Sequence, residues 1–169
     1  MRISQNYSFM LSMGLINTLL NILWKTGVAS LLWGEQENVR LWGPTSMAVF
    51  LIACGGITGF GLGLTVTKIT RQGLRKQKVL PLHWHLKSQT LVDRLPASML
   101  SRAFMLALCG VLFNYIILVL LEVKGKSCLQ ITELYLLLTV LAACEAISLT
   151  VMAFYRTLGD TIQLKSKQA

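Results

Sequence analysis

Four long stretches of this chain carry almost no charge, and their length limits the fold more than any other sequence feature. They cover about residues 8–33, 47–67, 99–123 and 131–155, and roughly 20 apolar residues cross the hydrocarbon core of a bilayer as a helix. Because lipid offers the backbone no hydrogen-bond partner, each stretch is expected to be helical. Only 14 % of the 169 residues are charged, against about 25 % in soluble proteins. The sequence therefore predicts an all-α integral membrane protein, with four transmembrane helices in one domain, residues 1–169.

The positions of the basic residues predict how these helices are oriented. The loop at residues 68–98, the two termini and Arg102 together hold twelve of the 16 Lys and Arg residues, and the opposite side holds three. Since loops rich in Lys and Arg stay in the cytoplasm, both termini, including the polar tail 156–169, are predicted to be cytoplasmic. A bacterial inner membrane is the expected location. The net charge of +9 is then a signature of topology and does not indicate nucleic-acid binding.

Two pairs of short matches suggest an internal repeat of a helical hairpin. FMLSMG at residues 9–14 resembles FMLALCG at residues 104–110, and LTVTKITRQG at residues 64–73 resembles LTVMAFYRTLGD at residues 149–160. Each match falls at the same place in a two-helix unit, and such units would be related by an axis along the membrane normal. A two-hairpin repeat is one hypothesis, and chance similarity between apolar segments is the other.

Gly55, Gly59 and Gly63 of the second helix are spaced by four residues and therefore stack on one face. Such a face lets another helix approach closely, which matters in lipid because no hydrophobic effect draws helices together there. Ala142 and Ala146 offer a matching surface on the fourth helix. The glycines are interpreted as packing inside the bundle, as an interface with another chain, or as a gating hinge.

Five polar residues lie inside the apolar stretches. Asn17, Asn21 and Lys25 form one stripe on the first helix, while Asn114 and Glu145 lie in the third and fourth. An unpaired charge at the bilayer centre costs at least a few kcal/mol, so these side chains are expected to face the bundle interior and find partners there. They are interpreted as a structural network, as a proton or cation site, or as contacts to a partner subunit.

The state of Glu145 has three interpretations. It pairs with Lys25, although the two Cα atoms would differ in depth by roughly 10 Å. In the second interpretation, Lys25 extends to the outer membrane interface. In the third, Glu145 is protonated and bonds to Asn17 or Asn21. The sequence alone does not choose among these arrangements.

No catalytic motif stands out in the sequence. It contains no glycine-rich phosphate loop, nucleophile elbow or paired carboxylate set, so neither an enzyme nor a bound cofactor is expected. The four cysteines include no Cys-x-x-Cys pair, which argues against thiol redox chemistry. His83 and His85 have no third ligand near them in sequence, so no metal site is expected either.

These features support two classes of function. The first is a non-enzymatic accessory or interaction protein, of the assembly or immunity type, whose helices dock against another membrane protein or a second copy. The second is a small oligomeric transporter or channel in which Glu145 acts with the stripe of Asn17, Asn21 and Lys25. Both classes require the lipid bilayer, and neither involves nucleic acid.

Overall fold

A computed structural model describes residues 2–80 and 95–160, with side chains from residue 5 onward. Its elements in chain order are α1 (Arg2–Trp33), β1 (Asn38–Arg40), α2 (Met47–Arg75), α3 (Met99–Val123), β2 (Cys128–Gln130) and α4 (Ile131–Gly159). The four helices are each long and apolar enough to cross a membrane, so the chain is an all-helical, multi-pass membrane protein apart from its two short strands. His83 and His85 lie outside the described residues.

Three helices extend past the apolar stretches that predicted them. α1 begins at Arg2 instead of residue 8, α2 continues to Arg75 instead of ending near residue 67, and α4 continues to Gly159 instead of ending near residue 155. Hydropathy detects only the residues that match hydrocarbon, whereas the helical hydrogen-bond pattern continues into polar residues beyond it. Arg156, which the sequence analysis assigned to the polar tail, consequently belongs to α4.

The chain forms two helical hairpins, α1 with α2 and α3 with α4. The helices pack mainly against helices of the other hairpin. α2 lies along α3, α1 lies along α4, and α2 also contacts α4 at the centre of the bundle. Within each hairpin, the two helices make few contacts with each other. A fissure therefore opens between the two helices of each hairpin.

The strands β1 and β2 close one end of the bundle, which we call the ribbon end. They pair antiparallel with Val39 opposite Leu129, and both of these side chains are buried. Beside them, the rings of Trp33 and Phe50 meet edge to face with centroids 5.2 Å apart. This ribbon is not predictable from the sequence, because three residues are too few to reveal an alternating strand pattern.

Two apolar clusters fill the bundle, and a polar layer separates them. The cluster at the ribbon end includes Leu51, Leu118 and Leu138. The cluster at the other end includes Leu106 and Phe154. Six buried polar side chains lie between the residues of these two clusters along their helices: Asn17, Asn21, Lys25, Thr58, Asn114 and Glu145.

Asp160 gathers three arginines at the end opposite the ribbon, which we call the arginine end. Its carboxylate lies 3.2 Å from Arg71 Nη2, 2.5 Å from Arg102 Nη2 and 2.9 Å from Arg156 Nη1. Arg102 is fully buried and also donates to Thr157 Oγ1 at 2.7 Å. The arginines come from α2, α3 and α4, so this cluster ties three helices together.

Replacing Asp160 with Ala is expected to lower the free energy of unfolding by about 2 kcal/mol, because the buried Arg102 loses its hydrogen bond to a carboxylate and such charged hydrogen bonds contribute about 1.5–3 kcal/mol. Glu133→Ala is the matched control, since Glu133 and Lys126 are both about half exposed in their 3.3 Å pair and such pairs contribute less than about 1 kcal/mol. Unfolding in detergent micelles titrated with dodecyl sulfate, followed by circular dichroism, measures both variants. Equal losses would contradict a stabilising role for the Asp160 cluster.

Candidate functional site

An ion pair lies at the centre of the polar layer. Lys25 Nζ on α1 donates a hydrogen bond to Glu145 Oε2 on α4, and both side chains are buried. This is the first of the three arrangements that the sequence left open. The long side chains bridge the difference in depth, and each charge supplies the counterion that the other needs away from water.

Amide and hydroxyl groups extend the layer on either side of this pair. Asn17 Nδ2 donates to Thr150 Oγ1 at 3.1 Å, and Asn21 Nδ2 donates to the carbonyl oxygen of Ala142 at 2.9 Å. Thr58 Oγ1 of α2 donates to Asn21 Oδ1 at 3.1 Å. The network thus joins α1, α2 and α4 through side chains that lipid would leave without partners.

Asn114 on α3 makes a contact of the same kind as Asn21 on α1. Its Nδ2 donates to the carbonyl oxygen of Leu51 at 2.8 Å. Each asparagine therefore binds the backbone of a helix from the other hairpin. All five polar residues that the sequence singled out inside the helices are buried in this layer: Asn17, Asn21, Lys25, Asn114 and Glu145.

One oxygen of Glu145 remains available. Oε1 is buried and, within the part of the chain that the structure describes, accepts no hydrogen bond. Glu145 lines the fissure between α3 and α4, a cavity of about 180 Å³. Among the described residues, Glu145 thus combines an acceptor that has no donor with a place in the wall of a cavity.

The fissure between α1 and α2 is larger, at about 320 Å³, and has no charged side chain in its lining. Asn17, Asn21 and Thr58 reach it from the polar layer, and Gly61 lies among its lining residues. Apart from the neighbouring backbone of α2, no atom of the described residues would lie within 4 Å of a Cβ atom on Gly61. Gly61 is thus a small residue of α2, and the bundle itself does not pack against it.

The glycine face of α2 lies against α3. A Cβ atom on Gly55 would come within 2.6 Å of the Gly110 carbonyl oxygen, and one on Gly63 would come within 2.8 Å of Ala103 Cα. A Cβ atom on Gly59 would overlap the backbone of α3. These contacts require glycine, because any side chain would push the two helices apart.

The interpretation that α4 provides the surface opposite these glycines is therefore wrong. Ala142 and Ala146 are buried on α4, but the backbone that approaches Gly55, Gly59 and Gly63 belongs to α3. Small residues occur on both α3 and α4, so composition alone does not show which of the two helices packs against the glycines of α2. The spacing of Ala103, Ala107 and Gly110 was a usable signal for the α3 surface.

The described part of the chain was also compared with the side-chain clusters that bind metal ions. Within residues 2–80 and 95–160, no three His, Cys, Asp or Glu side chains come together in a way that would hold a metal ion. Comparison of the chain with protein-family models, with curated proteins and with solved structures gave no match. Function is therefore inferred from the polar layer and the two fissures.

Proposed function

We propose that this protein is a non-enzymatic accessory protein that binds a transmembrane helix of another membrane protein. The observation that carries the proposal is the fissure between α1 and α2, which opens to the side of the bundle with Gly61 in its wall. The open space around Gly61 allows the backbone of a second helix to approach α2 closely, and such contacts drive helix association in lipid.

The lining of this fissure suits a helix better than a polar solute. Leu20 and Ile57 are exposed apolar side chains on its two walls. Thr65 Oγ1 donates to the carbonyl oxygen of Gly61 at 2.7 Å, so its hydroxyl is satisfied within α2. A partner helix with a small residue opposite Gly61 would bury this apolar surface by van der Waals contact.

The polar layer supports this class over a channel formed by one chain. Asn17, Asn21 and Lys25 each bind α4, and apolar clusters lie on both sides of the layer. Conduction needs a continuous polar path or a gated opening. Within the described residues, the hydrogen bonds of the layer instead run between helices and hold them together.

The alternative is a small transporter or channel that acts as an oligomer and uses Glu145 with Asn17, Asn21 and Lys25. The observation that favours it is Glu145 Oε1, which accepts no hydrogen bond from the described residues. A path would then have to form between copies, because the layer of one copy is enclosed by apolar clusters. The oligomeric state therefore separates the two candidates.

The mass of the complex in its own membrane tests the proposal. Native mass spectrometry of the protein, extracted in a mild detergent, is expected to show a stoichiometric foreign subunit. Gly61→Leu should remove that subunit, while Gly14→Leu should retain it, because Gly14 also has open space around it but does not line the fissure. A homo-oligomer without a foreign subunit would contradict the proposal and favour the transporter.

We also propose that the arginine end faces the cytoplasm of a bacterial cell, with both termini on that side of the inner membrane. Among the described residues, the basic side chains at the arginine end are Lys68, Arg71, Arg75, Lys76, Lys78, Arg102 and Arg156. Those at the ribbon end are Arg40, Lys124 and Lys126. This asymmetry follows the rule that basic loops remain in the cytoplasm.

Cysteine labelling in intact cells tests this orientation. Cys128 is exposed at the ribbon end, so a membrane-impermeant maleimide is expected to label it from outside. In a Cys128→Ser background, Gln77→Cys at the arginine end should be labelled only after the membrane is permeabilised. The opposite pattern would show that the orientation is inverted.

The two hairpins are further proposed to be repeats related by an axis along the membrane normal. The pairing of Asn21 with the Ala142 carbonyl and of Asn114 with the Leu51 carbonyl supports this, because each joins the first helix of one hairpin to the second helix of the other. Matching Asn21 to Asn114 also matches Met13 to Leu106, and both are buried.

The register of this correspondence differs from that of the short sequence matches. FMLSMG and FMLALCG would align Leu11 with Leu106, although Leu11 is exposed and Leu106 is buried. The buried residue that corresponds to Leu106 is Met13. Apolar segments can be aligned in several registers with similar scores. Burial and hydrogen bonding therefore identify equivalent positions better than short sequence matches do.

A further inference from the structure

We propose that the fissure between α3 and α4 binds an uncharged amphiphile from the lipid phase, with a hydroxyl or N–H group on a ring-sized headgroup that donates to Glu145 Oε1. This goes beyond helix docking, since it concerns the other fissure. The contacts between α3 and α4 are few, and Glu145 lines the opening between them.

The buried acceptor is the first step in this inference. Glu145 is buried, its Oε2 binds Lys25, and its Oε1 accepts no hydrogen bond from the described residues. A buried polar atom without a partner costs free energy. A donor that enters the fissure would satisfy Oε1 with a charge-assisted hydrogen bond, which is stronger than one between neutral groups.

The charge of the site selects an uncharged ligand. Lys25 already neutralises Glu145, and of the residues that line the fissure only Glu145 carries a charge. The other titratable groups in the lining are the thiols of Cys109 and Cys144. A cationic ligand would leave an excess positive charge in a medium of low dielectric constant, which is costly, whereas a neutral donor leaves the pair balanced.

The size and lining of the fissure define the headgroup. Its volume of about 180 Å³ compares with the roughly 150 Å³ of an engineered cavity that holds benzene. Phe113, Leu149 and Met152 provide an aromatic ring, a branched side chain and a thioether around it. A phenol, a quinol or a cyclic alcohol with an alkyl tail in the lipid has the required ring and donor.

The fissure between α1 and α2 serves as an internal reference. It is lined by no carboxylate, and its buried groups Asn17, Asn21 and Thr58 are bonded within the layer. A ligand selected for its donor should therefore prefer the fissure between α3 and α4. Trp24 lines the reference fissure, and Met152 lines the proposed site.

The test compares two probes that differ only in the donor. The protein, labelled with ¹³C at its methionine methyl groups, is placed in phosphatidylcholine nanodiscs and titrated with 4-nonylphenol or with 4-nonylanisole at equal membrane mole fraction. The Met152 signal, assigned through Met152→Leu, is expected to shift saturably with the phenol. Binding of the anisole should be at least about tenfold weaker, the value expected for loss of a hydrogen bond to a charged group. The Trp24 indole signal should respond similarly to both probes.

Two kinds of variant separate the proposed site from general partitioning. Lys25→Met/Glu145→Met removes the acceptor without leaving an unpaired charge, and it should abolish the preference for the phenol. Ser148→Trp at the exposed edge of the fissure should block the phenol, whereas Ile147→Trp, exposed outside it, should not. Equal binding of the two probes, no shift at Met152, or a preference that survives in the double variant would overturn the proposal.

Discussion

Replacing either Lys25 or Glu145 alone with Met is expected to lower the free energy of unfolding by about 3 kcal/mol or more. Each single change leaves one charge buried without its partner, and broken buried pairs typically cost about 3–5 kcal/mol. The double variant, Lys25→Met/Glu145→Met, is expected to lie within about 1 kcal/mol of the native protein or above it, because two apolar side chains need no counterion. The ion pair thus fixes which helices meet while adding little net stability.

A double-mutant cycle measures this directly. Unfolding of the four proteins in mixed micelles titrated with dodecyl sulfate gives the coupling free energy between the two side chains. The losses of the single variants should together exceed that of the double variant by several kcal/mol. Small and additive losses would mean that Lys25 and Glu145 do not contact each other in the membrane.

Gly59→Ala is expected to lower the free energy of unfolding by about 3 kcal/mol, at the upper end of the range for overpacking a filled site. The added methyl group would overlap the carbonyl oxygen of Leu106 and lie 2.7 Å from Ala107 Cα, so relief requires the backbone of α3 to move. Gly61→Ala adds the same methyl group in open space and should be neutral, or stabilising by up to about 1 kcal/mol through helix propensity.

Thermal unfolding of both glycine variants in the same detergent provides the measurement. Equal melting temperatures would contradict the contact between α2 and α3. Gly59 is also unsuitable for probing a partner protein, because a change there disrupts the bundle itself. The open position, Gly61, is the one at which an external helix is expected to bind.

Sequence patterns predicted the four spans and the inward orientation of the polar residues, because both follow from the cost of placing polar groups in hydrocarbon. Lys25 and Glu145 were candidate partners for the same reason. The carboxylate oxygen that remains free was not predictable, since it depends on the direction in which the paired side chain turns within the fissure.

The choice of helix neighbours lay beyond sequence reasoning. Small residues occur on both α3 and α4, and only the three-dimensional packing shows that Gly59 meets α3. The Asp160 cluster was missed because its arginines come from three separate helices and were considered only as topology signals. Each of these contacts depends on how distant segments meet, which hydropathy and spacing do not encode.

Photo-crosslinking in the native membrane tests the proposed docking of a partner helix most directly. A benzoyl-phenylalanine is placed at Ile57 in the fissure between α1 and α2 or at Leu112 on α3, and both positions are 58 % exposed in the native protein. The account predicts one discrete adduct with a foreign protein from position 57, none from position 112, and loss of the adduct when Gly61→Leu is added. Adducts with lipid alone, with a second copy of this chain, or equally from both positions would contradict it.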